Sequence, residues 1–146
     1  MEKTEDFLVE VNYRKSLKQA IVAVGYERIN KNIKNFRKQT PDGLVKNKEK
    51  IKIALFNFGE IIFHRYDQII NAMYKEGYRP GTFMELLAFG ASVETRKGII
   101  ALGSIYDDKG SYAPCSSRGD ELMYFYVGSV QAIYSPWYFM GVKINE

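Results

Sequence analysis

The stretch from Tyr78 to Ile105, YRPGTFMELLAFGASVETRKGIIALGSI, constrains the chain most, because it holds a helix stop, a helix start and a buried strand in succession. Pro80 and Gly81 forbid helix. Thr82 followed by Glu85 predicts a capping box, in which the hydroxyl and the carboxylate each satisfy an orphan backbone N–H. The helix that follows places Phe83, Leu86, Leu87 and Gly90 on one side with Phe89 on its shoulder, so it must lie on something apolar. Gly90 can end it. Ile99 to Leu102, bracketed by Gly98 and Gly103, predicts a fully buried strand.

Upstream, Phe7, Val9, Val11 and Tyr13 alternate with polar neighbours at the period of a half-buried strand. Ser16 is placed to cap a helix over LKQAIVAV, with Leu17, Ala20, Ile21 and Val24 on one face and Gly25 as the stop. Apolar residues at 26, 29, 33 and 36 predict a further helix from Tyr26 to Arg37, although Asn30, Asn32 and Asn35 oppose it. Thr40-Pro41-Asp42-Gly43 is a turn. Ile51 to Phe58 predicts a strand that grows more apolar as it proceeds. His64 to Lys75 predicts a helix burying Tyr66, Ile69, Ile70, Met73 and Tyr74, with Gly77 as a left-handed cap.

After Gly103 the texture changes. Asp107-Asp108-Lys109-Gly110 predicts a hairpin turn joining a strand over Ile99–Tyr106 to Ser111–Cys115, and Leu122–Val127 and Trp137–Ile144 predict strands. Six of the eleven tyrosines fall at 106, 112, 124, 126, 134 and 138, mixed with Ser111, Ser116, Ser117, Ser129 and Ser135. Tyrosine with serine and glycine is the composition of binding loops, since a rigid amphipathic ring offers much contact at small entropic cost. Tyr124-Phe125-Tyr126 cannot all face one core, because neighbours on a strand point to opposite sides.

Composition bounds the function. At 146 residues and 46% hydrophobic content, a single α+β domain over residues 1–146 is expected. No apolar run approaches the length of a membrane span, and the acidic start MEKTEDFLVE lacks the apolar core of a signal peptide. The lone Cys115 excludes an internal disulfide and a cysteine-based zinc site, and the lone His64 removes most acid–base and metal constellations. No cofactor, metal or catalysis is expected. An enzymatic site would require Arg79, His64 and Cys115 to converge. Residues 1–52 carry 13 Lys and Arg against 7 Asp and Glu. The run Lys31, Lys34, Arg37, Lys38, Lys46, Lys48, Lys50 and Lys52 leaves open an alternative, a small basic domain that binds nucleic acid or an anionic surface.

Three pieces in fixed order, VNYRKSLKQAIVAVGYERIN, GYRPGTFMELLAFG with IIALGS, and FMGVK, resemble the AvpA-like archaeal variable proteins of diversity-generating retroelements. The Tyr-Arg-Pro-x-Thr-x-x-Glu-Leu order is also similar to the helix start of formylglycine-generating-enzyme-like C-type lectin folds. The resemblance covers about half the positions from Val9 to Lys143. It implies a disulfide-free C-type lectin-like fold, two main helices flanking a twisted antiparallel β-structure, with first and last strands paired. It further implies a scaffold over 1–105 and a display region over 106–146 that binds an unknown protein or cell-surface ligand. In such proteins adenine-directed mutagenesis rewrites AAY codons, which cannot yield Trp, Met, Lys, Glu or Gln. That assigns Trp137, Met123, Met140, Glu121, Gln131 and Lys143 to the scaffold. It leaves Tyr112, Ala113, Cys115, Ser116, Ser117, Tyr124, Tyr126, Ser129, Tyr134, Ser135 and Tyr138 as variable, ligand-facing positions, with Cys115 at an exposed site. Glu-Pro-Asn, Gln-Pro-Asp and Trp-Asn-Asp are absent, so calcium-dependent sugar binding is not implied.

Overall fold

Strands rich in β-branched and aromatic residues, each too short to bury both of its faces alone, assemble here into one sheet with helices on both sides. The computed structural model describes residues 1–36, 48–59, 65–107, 109–127 and 137–144. Its strands are β1 (Glu2–Lys3), β2 (Phe7–Asn12), β3 (Arg28–Ile29), β4 (Lys48–Asn57), β5 (Tyr78–Pro80), β6 (Gly98–Ile100), β7 (Tyr106–Asp107), β8 (Ser111–Ser117), β9 (Glu121–Tyr126) and β10 (Trp137–Lys143). They are ordered β1-β4-β10-β6-β8-β9-β3, with β2 on β4, β5 on β10 and β7 on β8. Pairing is antiparallel except for β10 with β6 and β3 with β9. The helices are α1 (Leu17–Val24), α2 (Tyr66–Lys75) and α3 (Phe83–Ser92), with a 3-10 turn at Lys31–Asn35. The fold is therefore mixed α+β, and its one cysteine is free. Among the described residues no helix is long and apolar enough to cross a membrane.

Alternation along the strands sends side chains to two separate cores. Val9, Val11, Ile53, Leu55, Met140 and Val142 meet Phe83, Leu87 and Phe89 of α3 on one side. Ala54, Phe56, Ile100 and Phe139 meet Ile69 and Met73 of α2 on the other. Burial on both faces explains why β4 turns apolar: Ile53 to Phe58 are all buried.

The caps follow their residues. Ser16 and Thr82 both close capping boxes, with Gln19 and Glu85 respectively, and Gly25 takes a left-handed φ of 79° at the end of α1. Gly77, φ 87°, does the same after α2. Glu85 carries more than its cap. It is fully buried, accepts from Thr82 N, and is gripped by Arg79 and the Tyr13 hydroxyl. Burial alone would raise its pKa, but the hydrogen bonds and charge of Arg79, with Tyr13 and Thr82, outweigh that and hold the carboxyl below its ordinary range. The Tyr13 hydroxyl is pushed the other way, by burial and then by the Glu85 charge.

Six expectations are corrected. The helix predicted over 26–37 is instead β3 followed by the 3-10 turn. Asn30 Oδ1 accepts from Asn32 N at 2.9 Å, and Glu27 N and Arg28 N donate to Asp120 O, so local side-chain bonds and the sheet take the backbone from the helix. Gly90 does not end α3, which runs to Ser92; a Cβ at Gly90 would lie 3.3 Å from both Val24 Cγ1 and the Tyr26 hydroxyl, so the glycine marks close helix approach. The strand predicted over Ile99–Tyr106 is split into β6 and β7, because Gly103 N donates to Gly81 O at 2.7 Å and draws the chain aside. Tyr74, expected to be buried, lies one position beyond the Ile69–Met73 stripe and is 50% exposed. The opening and closing strands do not pair with each other: β2 and β10 both lie against β4, and their ends meet through Lys143 and Asp6, 3.6 Å apart. Three helices are present among the described residues, not two main ones alone. The turn at 40–43, Arg37, Lys38, Lys46 and His64 lie outside the described residues.

Candidate functional site

The tyrosines come together where β7, β8 and β9 pair. Tyr106 stands opposite Tyr112, Tyr112 opposite Tyr126, and Pro114 opposite Tyr124, so the period of two sends all four rings to one face. Tyr112 is the hub: its ring lies 5.2 Å from Tyr124, edge to face, and 5.5 Å from Tyr126. Such pairs hold rings in place without sealing them, and Tyr126 is 48% exposed. The hairpin turn makes room for it. Lys109 and Gly110 both adopt positive φ, and a Cβ at Gly110 would come within 2.8 Å of the Tyr126 ring.

A groove of about 230 Å³ runs beside these rings, lined by Asn32, Asn35, Phe36, Tyr106, Tyr112 and Tyr124. Phe36 braces it, 5.8 Å from both Tyr106 and the core ring of Phe83. Asn32 Nδ2 donates to the Tyr124 hydroxyl at 3.3 Å. Rigid rings edged by amides can bury a ligand's apolar surface and still answer its polar groups.

Of the residues expected at the ligand face, Tyr112, Tyr124 and Tyr126 are brought together. Tyr138 points to the same side of the sheet but stands on β10, beyond β6, with Lys97 Nζ 5.4 Å over its ring. Ser116 is buried on that side too, and Ser117 is half-buried on the other. Ala113 and Cys115 are wholly buried in the α2-side core, which overturns the expectation of an exposed Cys115. The alternation that sends Tyr112 outward sends both of them inward. Burial, then the nearby Glu121 charge, pushes the Cys115 thiol up to about 12. Ser129, Tyr134 and Ser135 lie outside the described residues. Phe36, Asn32 and Asn35 join the site without having been expected there; Asn30-x-Asn32 is the pattern that could have revealed their turn, since asparagine caps as readily as it weakens a helix.

Arg79 and Cys115 do not converge, because Arg79 sits on the α3 side bound to Glu85 and Cys115 on the α2 side. Among the described residues no three His, Cys, Asp or Glu side chains cluster as a metal would require. Of the basic run, Lys48, Lys50 and Lys52 share the exposed face of β4, where Glu10 stands opposite Lys50. Comparison of the chain with family models, with curated proteins and with solved structures finds no match.

Proposed function

We propose that this chain is a non-enzymatic ligand-binding protein of the kind diversified by retroelements, a C-type lectin-like body presenting changeable residues on one face. The observation that carries the reading is the gathering of Tyr106, Tyr112, Tyr124 and Tyr126 on one side of the β7–β8–β9 hairpins, half-exposed beside a groove. Rings of this kind supply contact area, and Asn32 and Asn35 supply adaptable hydrogen bonds. The finer fold reading is supported by helices on both sides of a twisted sheet and by terminal strands that close on one another through β4. Burial narrows the changeable set. Tyr126 can vary at little cost to folding and Tyr112 and Tyr124, which also pack on the core, at a larger one, whereas Ala113 and Cys115 stand with the scaffold and Ser117 faces the other side of the sheet.

The test is genetic and cheap. The coding locus should lie beside a reverse transcriptase and a near-copy of its own 3′ end, and sister loci should differ at the codons for Tyr112, Tyr124 and Tyr126. A locus with neither neighbour, and with those codons fixed, removes the proposal. Binding should also depend weakly on salt, since rings and amides make it; a steep fall with salt would point to Lys48, Lys50 and Lys52 instead.

A further inference from the structure

A second opening lies on the same side of the sheet, away from the tyrosine groove. It is a cleft of about 710 Å³ between the α3–β6 loop, residues 93–97, and the β8–β9 turn, residues 117–120. Its width is fixed by backbone contact, because a Cβ at Gly119 would lie 2.7 Å from the Thr95 carbonyl oxygen. Its inner wall is apolar, formed by the half-buried Val24 and Val93 with Phe89 and Ile99 of the core behind them.

Three features give the cleft a chemical preference. Arg96 and Lys97 stand on one lip and Arg118 on the other, and among the described residues neither arginine is paired with a carboxylate. The lining carboxylates are Glu94 and Asp120; Asp120 Oδ1 is buried without a hydrogen-bond partner among the described residues and lies 3.8 Å from Arg28, so three cationic side chains in the lining stand against two carboxylates. Arg118 holds φ of 57°, a left-handed conformation that residues with a Cβ seldom adopt, at a turn position that glycine or asparagine would fill without strain. An arginine kept in such a place directs attention to its side chain. Lastly, the Tyr26 hydroxyl in the lining is shut off from solvent with no hydrogen-bond partner among the described residues, and Ser116 belongs to the same lining.

We infer that this cleft binds a small organic anion, its phosphate or carboxylate held between Arg118 and the Arg96–Lys97 lip and its apolar body against Val24 and Val93. Guanidinium groups suit both anions, since their paired N–H donors match two oxygens at once. The site is independent of the tyrosine face, so either can fail without the other.

The experiment is titration of the isotopically labelled chain with phenyl phosphate and, separately, phenylacetate, following backbone amide signals. Saturable shifts are expected at residues 95–97 and 116–119, and the stronger arm identifies the anion. Inorganic phosphate and benzyl alcohol, each lacking one half of the ligand, should bind at least roughly tenfold more weakly. Arg118→Gly removes the guanidinium and relieves the backbone, so it should fold at least as well as the parent and lose roughly tenfold in affinity. Lys109→Gly, the matching change in the other strained turn, should leave affinity unchanged. No saturable shift with either aryl anion at millimolar concentration, or undiminished binding by a folded Arg118→Gly variant, overturns the inference. Inorganic phosphate binding as tightly as phenyl phosphate overturns the role given to the apolar wall.

Discussion

Arg79 meets Glu85 through two parallel hydrogen bonds, Nη1 to Oε1 at 2.8 Å and Nη2 to Oε2 at 2.6 Å, and so ties the edge strand β5 to the first turn of α3. The carboxylate has no solvent exposure, and its remaining capacity is taken by Tyr13 and Thr82. Breaking one partner of such a buried pair leaves the other charge unpaired. Arg79→Met should therefore cost about 3–5 kcal/mol, read as a lowered urea midpoint at unchanged slope. Tyr13→Phe, which removes one donor to the same charge, should cost about 2 kcal/mol.

Acid sensitivity follows from the same carboxylate. Its folded pKa lies below the ordinary 4.5, so its contribution is fully present above 4.5 and is lost as pH falls through the lower, folded value. Asp6 acts in the same sense, held down first by the hydrogen bond from Tyr78 and then by the charges of Lys143 and Lys3, though water screens it more. Thermal unfolding measured from pH 7 to pH 3 should show a decline that steepens below about pH 4.5. Glu85→Gln should be less stable at pH 7 and should flatten that decline; an unchanged slope would remove Glu85 as its cause.

The close approach of Gly103 to Gly81 makes a third measurement decisive for the fold. A Cβ at 103 would sit 2.5 Å from the Gly81 carbonyl oxygen and 2.9 Å from that of Pro80, backbone atoms that cannot swing aside. Gly103→Ala should lower stability by about 1–3 kcal/mol, the range of overpacking in a tight core. A variant as stable as the parent would mean that the two segments are not in contact.

Much of this frame is legible in residue order. Thr82 with Glu85, Ser16 with Gln19, and the glycines at 25 and 77 mark helix ends by local chemistry that tertiary contacts need only accept. What is not legible depends on partners distant in the chain. Residues 27–30 leave the helical path because the backbone oxygens of Asp120 and Leu122 accept their N–H groups, a pairing invisible at residue 30. The candidate site divides in the same way. Tyr112, Tyr124 and Tyr126 share a face because of register, and register also sends Cys115 inward, a parity that composition does not contain.

Cys115 makes that parity measurable. Its thiol is buried and pushed up to about 12, so at pH 8 it stays protonated while the chain is folded. Reaction with a disulfide reagent should be slower than in urea by on the order of 100-fold or more, limited by opening of the sheet. Cys115→Tyr should fail to fold, since the site has no room for a ring. Rapid labelling of the native chain would restore Cys115 to the exposed set.

The tyrosine face should separate binding from folding. Tyr126 is 48% exposed and its ring touches Tyr112 alone among the described aromatic side chains, so Tyr126→Ser gives up one ring pair and little burial. Its cost should stay within about 1 kcal/mol. Tyr112 joins two rings, Tyr124 and Tyr126, and Tyr112→Ser should cost more, by about one further ring pair of 0.5–1.5 kcal/mol. Against any ligand selected for this chain, the order should hold in binding too, with Tyr112→Ser weakening the complex most because the hub positions its neighbours. Equal losses of stability at 112 and 126, measured by urea unfolding, would mean that the rings do not act as a connected patch. Unchanged binding by both variants would place the ligand elsewhere on the molecule.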